Sequence, residues 1–250
     1  MHTRTFHSCR AVVGVAMALA LCGPGAAAHA ATAGEAPMGG HMTMTTLRPM
    51  QPGDQARADA IVAAARKFAD QYKDYRKALA EGYTIFHPEI KQDVYHFTNE
   101  TYARQTTLDF NPAHPTSLLY ERVAPAKAGE QPGYKLVGVM YTAPYGATLN
   151  ELNERVPLSI ARWHLHTNLC LPPEGGRRDE VGEKGGRFGL LGSITTPAAC
   201  EQAGGMFLPH IFGWMVHVYP YETDPAKIWA AGMDDKHGMQ HDAMAPDMPM

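Results

Sequence analysis

Residues 158–168 read Leu158-Ser159-Ile160-Ala161-Arg162-Trp163-His164-Leu165-His166-Thr167-Asn168. Successive side chains of a β-strand point to opposite faces. Read as a strand, the segment puts Arg162, His164, His166 and Asn168 on one face and Ala161, Trp163 and Leu165 on the other. One apolar and one polar face is the pattern of an antiparallel sheet packed on a single side. A wet face is the plain explanation of the polar side, but this one carries two imidazoles. His-x-His in a strand aims two ring nitrogens the same way, and imidazole is the commonest metal-binding side chain at neutral pH.

Two further segments divide alike. Ile211-Phe212-Gly213-Trp214-Met215-Val216-His217-Val218-Tyr219 sets Gly213, Met215, His217 and Tyr219 against Phe212, Trp214, Val216 and Val218, and Asp93 to Thr98 puts Val94, His96 and Thr98 together. As neighbours in one sheet, these strands would gather His96, His164, His166 and His217 on its concave side as candidate metal ligands. Arg162, Asn168, Met215 and Tyr219 are candidates for supporting or substrate contacts. His87 and His114 adjoin prolines, and His210 follows Pro209, which places them in loops or at a strand entry.

From Asp54, Ile61, Val62, Ala65, Phe68, Tyr72, Tyr75 and Leu79 recur at helical spacing, and Gly82 stands where the helix should end. After it the period is two, predicting strands over 93–98, 117–123, 134–142, 158–168 and 211–219, with a short helix over 225–231. The fold expected is α+β: a long N-terminal helix followed by a curved antiparallel β-sheet or a small cupin-like barrel, in one domain over 54–232. Residues 31–53 and 233–250 contain methionine and histidine but no periodic apolar face, and are expected to be disordered tails.

Residues 1–30 combine Arg4 and Arg10, an apolar run over 11–21 and Ala28-His29-Ala30, the layout of a cleavable signal peptide. The run is shorter than the roughly 20 residues a membrane helix needs, so no integral membrane segment is expected. Leu19-Ala20-Leu21-Cys22 loosely matches a lipid-acylation box, with Leu21 where a small residue is wanted. A periplasmic or secreted protein should then bridge Cys170 to Cys200, although Cys170 as a nucleophile or copper ligand is the sharper alternative. With 22 Lys and Arg against 25 Asp and Glu, nothing recruits nucleic acid. Protein partners are not legible.

The segments Arg76 to Tyr83, Tyr95-His96-Phe97-Thr98-Asn99, Pro115 to Glu121, Leu136-Val137-Gly138-Val139-Met140-Tyr141 and Trp214 to Tyr219 follow one another in that order. They resemble the A-x-x-x-GY, H-[YF]-x-N, P-x-x-L-x-Y-E, G-V-x-Y and H-V-[WY] motifs of a group of uncharacterised secreted bacterial proteins. The resemblance implies that His96 and His217 belong to one site. The chain departs from the fourth motif, which reads G-V-E-Y in that group: Met140 stands in place of Glu, which puts a carboxylate ligand in doubt, points to a softer metal and adds Met140 to the supporting residues.

Met38, Met42, Met44 and Met50 in the first tail, and Met233, Met239, Met244, Met248 and Met250 in the second, bear on the metal. Thioether sulfur is soft and selects Cu(I), although the tails are equally readable as linkers. Three functions stay open. The protein binds or buffers a transition-metal ion, copper favoured and zinc or iron possible, through the histidines. Alternatively it is a cupin-like metal-dependent enzyme of oxygenase or hydrolase type, with Arg162 holding an anionic substrate and Tyr219 as acid or radical partner; the cupin spacing of an acid soon after His166 is not met. The third reading is a metal-free periplasmic binding domain.

Overall fold

The computed structural model describes residues 35–37, 40–125, 133–173 and 186–230. The expected signal segment, the C-terminal tail 233–250 and most of the glycine-rich stretch between the cysteines lie outside the described residues. Eight strands form one antiparallel sheet: β1 (Glu35–Pro37), β2 (Met42–Thr45), β3 (Thr84–Ile85), β4 (Tyr95–Thr98), β5 (Ser117–Val123), β6 (Gly133–Ala143), β7 (His164–Leu171) and β8 (Met206–Val218). Their order across the sheet is β1-β2-β7-β8-β6-β5-β4-β3. β1 and β3 are its two edges, and no pairing among the described residues joins them into the closed barrel that was one expectation.

The first helix, α1 (Asp54–Ala69), buries Ala58, Ile61, Ala65 and Phe68 at spacings of three and four. The single helix expected from Asp54 to Gly82 is broken. A 3-10 turn over Asp70–Tyr72 follows α1, and a separate α2 (Tyr75–Ala80) begins after Asp74, whose extended backbone and side chain, accepting from Arg76 N, cap it. The break leaves the Tyr72 carbonyl to accept the buried Tyr120 hydroxyl at 2.6 Å. Gly82 does end α2, at φ 85, with Tyr83 N donating to Ala78 O and Gly82 N to Leu79 O. That is the Schellman pattern, which glycine enters without Cβ strain.

Four further short helices lie among the described residues: α3 (Glu100–Gln105), α4 (Leu149–Arg155), α5 (Pro197–Gln202) and α6 (Pro225–Ile228). The main core lies between α1 and one face of the sheet, where Ile61, Ala65 and Phe68 join Phe97, Leu118, Tyr120, Val139, Tyr141, Leu165, Trp214, Val216 and Val218. Of the residues that alternation assigned to the apolar face, Ala161, Trp163, Leu165, Trp214, Val216 and Val218 lie in this core, whereas Phe212 is 56% exposed. Cys170 and Cys200 form a disulfide, Cα atoms 5.6 Å apart, in a second small core with Phe188 and Ile194. Among the described residues no helix is long and apolar enough to cross a membrane.

The N-terminal segment departs from expectation. Residues 42–45, assigned to a disordered tail, form β2 and pair with β7 in the register Met42↔His166 and Met44↔His164. Met42-Thr43-Met44-Thr45 alternates with period two and places β-branched threonines on one side, the chemistry of a strand. β7 in turn begins at His164 rather than Leu158. The residues before it turn, with Ile160 N and Ala161 N both donating to Pro157 O.

Candidate functional site

The sheet face away from α1 carries the histidines. β4 supplies His96, β7 supplies His164 and His166, and β8 supplies His217. Their rings follow one another in a row: His166 to His164 at 5.4 Å between centroids, His164 to His217 at 5.0 Å and His217 to His96 at 5.4 Å. At the last step the two Nε2 atoms are 3.4 Å apart. His164, His166 and His217 are 2%, 8% and 6% exposed, so three imidazoles of the row are inside the protein. His96 is half-buried.

Sheet curvature makes this possible. β5 and β6 separate β4 from β8, and three interstrand steps of a flat sheet span about 14 Å. Two imidazoles leaning toward each other do not close that gap, so the sheet curls over the histidine face. Phe86, just beyond β3, meets Phe212 of β8 at 5.4 Å, in the same closing direction. Phe212 reaches out through a left-handed backbone, φ 59, where β8 carries extra residues opposite β7 between His164 and His166.

Methionines surround the row. Residues directly opposite on antiparallel strands share a face with Cβ atoms about 4.5–5.5 Å apart. By that register Met44 and Met215 flank His164, Met42 lies beside His166 and Met140 beside His217. Met140 and Met215 pack with Leu119, and Tyr219 leans on this cluster, its ring centroid 6.1 Å from that of His217. Gly138 opens the space for that ring, since a Cβ there would meet Tyr219 Cδ1 at 3.0 Å.

Burial sets the protonation state. It pushes the His96 and His166 rings down to about 4 and His164 well below the ordinary imidazole value. A smaller contribution at His96 and His164 is repulsion from neighbouring rings in their charged forms. Around neutral pH these rings are therefore neutral, each with a lone pair to offer. His164 Nδ1 is buried with no hydrogen-bond partner, a costly condition for a polar atom. Among the described residues no three or more His, Cys, Asp or Glu side chains stand ready to hold a metal ion. The rings meet pairwise along a row, and His96 and His217 bring their Nε2 atoms to a ligand-like 3.4 Å.

Other expected site residues divide. Met140, Met215 and Tyr219 stand on the histidine face. Arg162 precedes β7, outside the alternation that was to align it with His164. Asn168 leaves that face as well: its backbone is left-handed, φ 56, and its side chain donates to Gly40 O at 3.0 Å, so it tethers the N-terminal segment. His87 contacts Glu89, His114 stacks on Tyr102 and His210 stacks on Tyr145. Met42 and Met44, which sequence reasoning placed in a tail, belong to this face by register, while neighbouring His41 sets its Nε2 2.6 Å from Gly192 O. The His41 backbone beside His166 favours the protonated ring, against the larger effect of burial.

Fold and site together define an α+β domain whose antiparallel sheet has one face packed on a helix and the other lined with histidine and methionine. Comparison with protein-family models, curated proteins and solved structures finds no match to this chain.

Proposed function

We propose that the protein binds a transition-metal ion on the histidine face, copper in preference to zinc or iron, and acts as a periplasmic or secreted binding or buffering protein. The observation that carries this is the 3.4 Å between His96 Nε2 and His217 Nε2. Two nitrogens that ligate one tetrahedral ion at 2.0–2.1 Å stand about 3.3–3.4 Å apart. Neutral His96, His164 and His166 rings at neutral pH and soft thioether neighbours support the same reading. His164, whose ring centroid is 5.0 Å from that of His217, is a further imidazole donor beside this pair. Kinship with the secreted proteins whose motifs contain His96 and His217 belongs to the proposal, as does export. The disulfide suits an oxidising compartment.

The enzymatic alternative is weaker, because the Arg162 meant to hold an anionic substrate precedes the strand. A metal-free domain would instead share a proton between His96 and His217. Metal analysis separates the two. Purified wild-type protein, dialysed against buffer after copper loading, should retain about one ion per chain, and His96→Ala with His217→Ala should lose it. A wild-type protein that retains none contradicts the proposal.

A further inference from the structure

Among the described residues every buried methionine lies on the histidine face. Met44 and Met140 are 6% exposed and Met215 is 5% exposed, while the larger core on the opposite face contains no methionine at all. Methionine used only to fill space would be distributed over both cores, since it fits irregular gaps anywhere. Its confinement to the side with the imidazoles calls for a chemical reason, and the register supplies one. Each buried methionine is the direct cross-strand neighbour of a histidine: Met44 and Met215 of His164, and Met140 of His217. Met42 stands in the same relation to His166 and is half-buried.

We infer that the site is built for Cu(I), with thioether sulfur from Met44 of β2 and Met215 of β8 joining the imidazoles, so that β2 is a ligand-bearing strand of the site. The inference rests on the metal-binding reading above and adds the oxidation state and the strand. Thioether is a poor ligand for Zn(II) and a good one for Cu(I). Neutral imidazole serves both ions, so the sulfurs decide between them.

β2 is held in place without using its methionines. Thr45 N donates to Trp163 O at 2.9 Å, Trp163 N to the Thr45 hydroxyl at 3.0 Å and Thr167 N to His41 O at 2.9 Å. Asn168 adds its bond to Gly40 O. Replacing the methionine side chains therefore removes sulfur while leaving the strand docked, and leucine keeps their volume.

The test is a pair of competition titrations on the full chain: Cu(I), kept reduced with ascorbate, against bicinchoninate, and Zn(II) against a chromophoric chelator. Wild type is compared with Met42→Leu/Met44→Leu and with Met140→Leu/Met215→Leu. The expected result is a loss of Cu(I) affinity of about tenfold or more in each variant, that is about 1.4 kcal/mol or more. Zn(II) affinity should change less than about threefold, which also certifies that the variants fold. Unchanged Cu(I) affinity, or equal losses for both ions, overturns the thioether assignment while metal binding stands. A wild-type chain that takes Zn(II) but not Cu(I) does the same. If wild type takes neither ion, both readings fall.

Discussion

The Nε2 atoms of His96 and His217 lie 3.4 Å apart although β4 and β8 are separated by β5 and β6. The contact exists only because the sheet curls, so the site depends on the whole tertiary fold. If the two rings share one ion, they are energetically coupled. We predict that His96→Ala and His217→Ala each weaken Cu binding by at least about tenfold. The double variant should be weaker by much less than the product of the two, because the second loss acts on a site already broken. A double-mutant cycle measured by competition titration checks this, and independent, multiplying losses would exclude a shared ion.

Stability of the metal-free protein should depend on pH in a definite window. The His96 and His166 rings titrate at about 4 in the folded chain, against 6.5 for a free imidazole. Between those values the unfolded state binds more protons, so stability falls as pH falls. The contribution is complete above about pH 6.5 and lost progressively toward about pH 4. Urea midpoints at pH 7.5, 6, 5 and 4.5 should therefore descend, and a smaller slope in His166→Asn would assign part of the effect. A midpoint that holds or rises on acidification contradicts neutral rings at half-buried His96 and buried His166.

The Cys170 to Cys200 bridge closes a 30-residue separation, and removing a bridge of this kind typically costs about 2–5 kcal/mol. Cys170→Ser with Cys200→Ser should lower the denaturation midpoint by a corresponding amount while leaving ion binding intact, because both sulfurs sit in the second core with Phe188 and Ile194. Loss of copper in this variant, with the fold retained, would make Cys170 a candidate ligand again.

Much of the site was legible in the sequence because strands separate side chains by parity. His164 and His166, Met215 and His217, and His96 each fall on a face that their neighbours identify, and those faces lie together. Asn168 escapes this reasoning because parity holds only while the backbone stays extended, and at φ 56 it does not. The break before α2 is hidden because Phe68, Tyr72, Tyr75 and Leu79 keep helical spacing across it. Yet Leu79 is 40% exposed where Ala78 is fully buried, so the helix resumes with a different face inward. β2 is illegible for a simpler reason. Its signal is four residues long, between glycines and a proline, and what makes it a strand is the free edge of β7, which is remote in sequence.

The central claim is most directly tested by anomalous scattering at the copper edge from crystals of the full chain grown with copper under reducing conditions. The account predicts one strong peak about 2.0–2.1 Å from both His96 Nε2 and His217 Nε2, with the Met44 and Met215 sulfurs completing the coordination. Well-ordered crystals with no peak between those two nitrogens, or with copper only elsewhere on the chain, would contradict it.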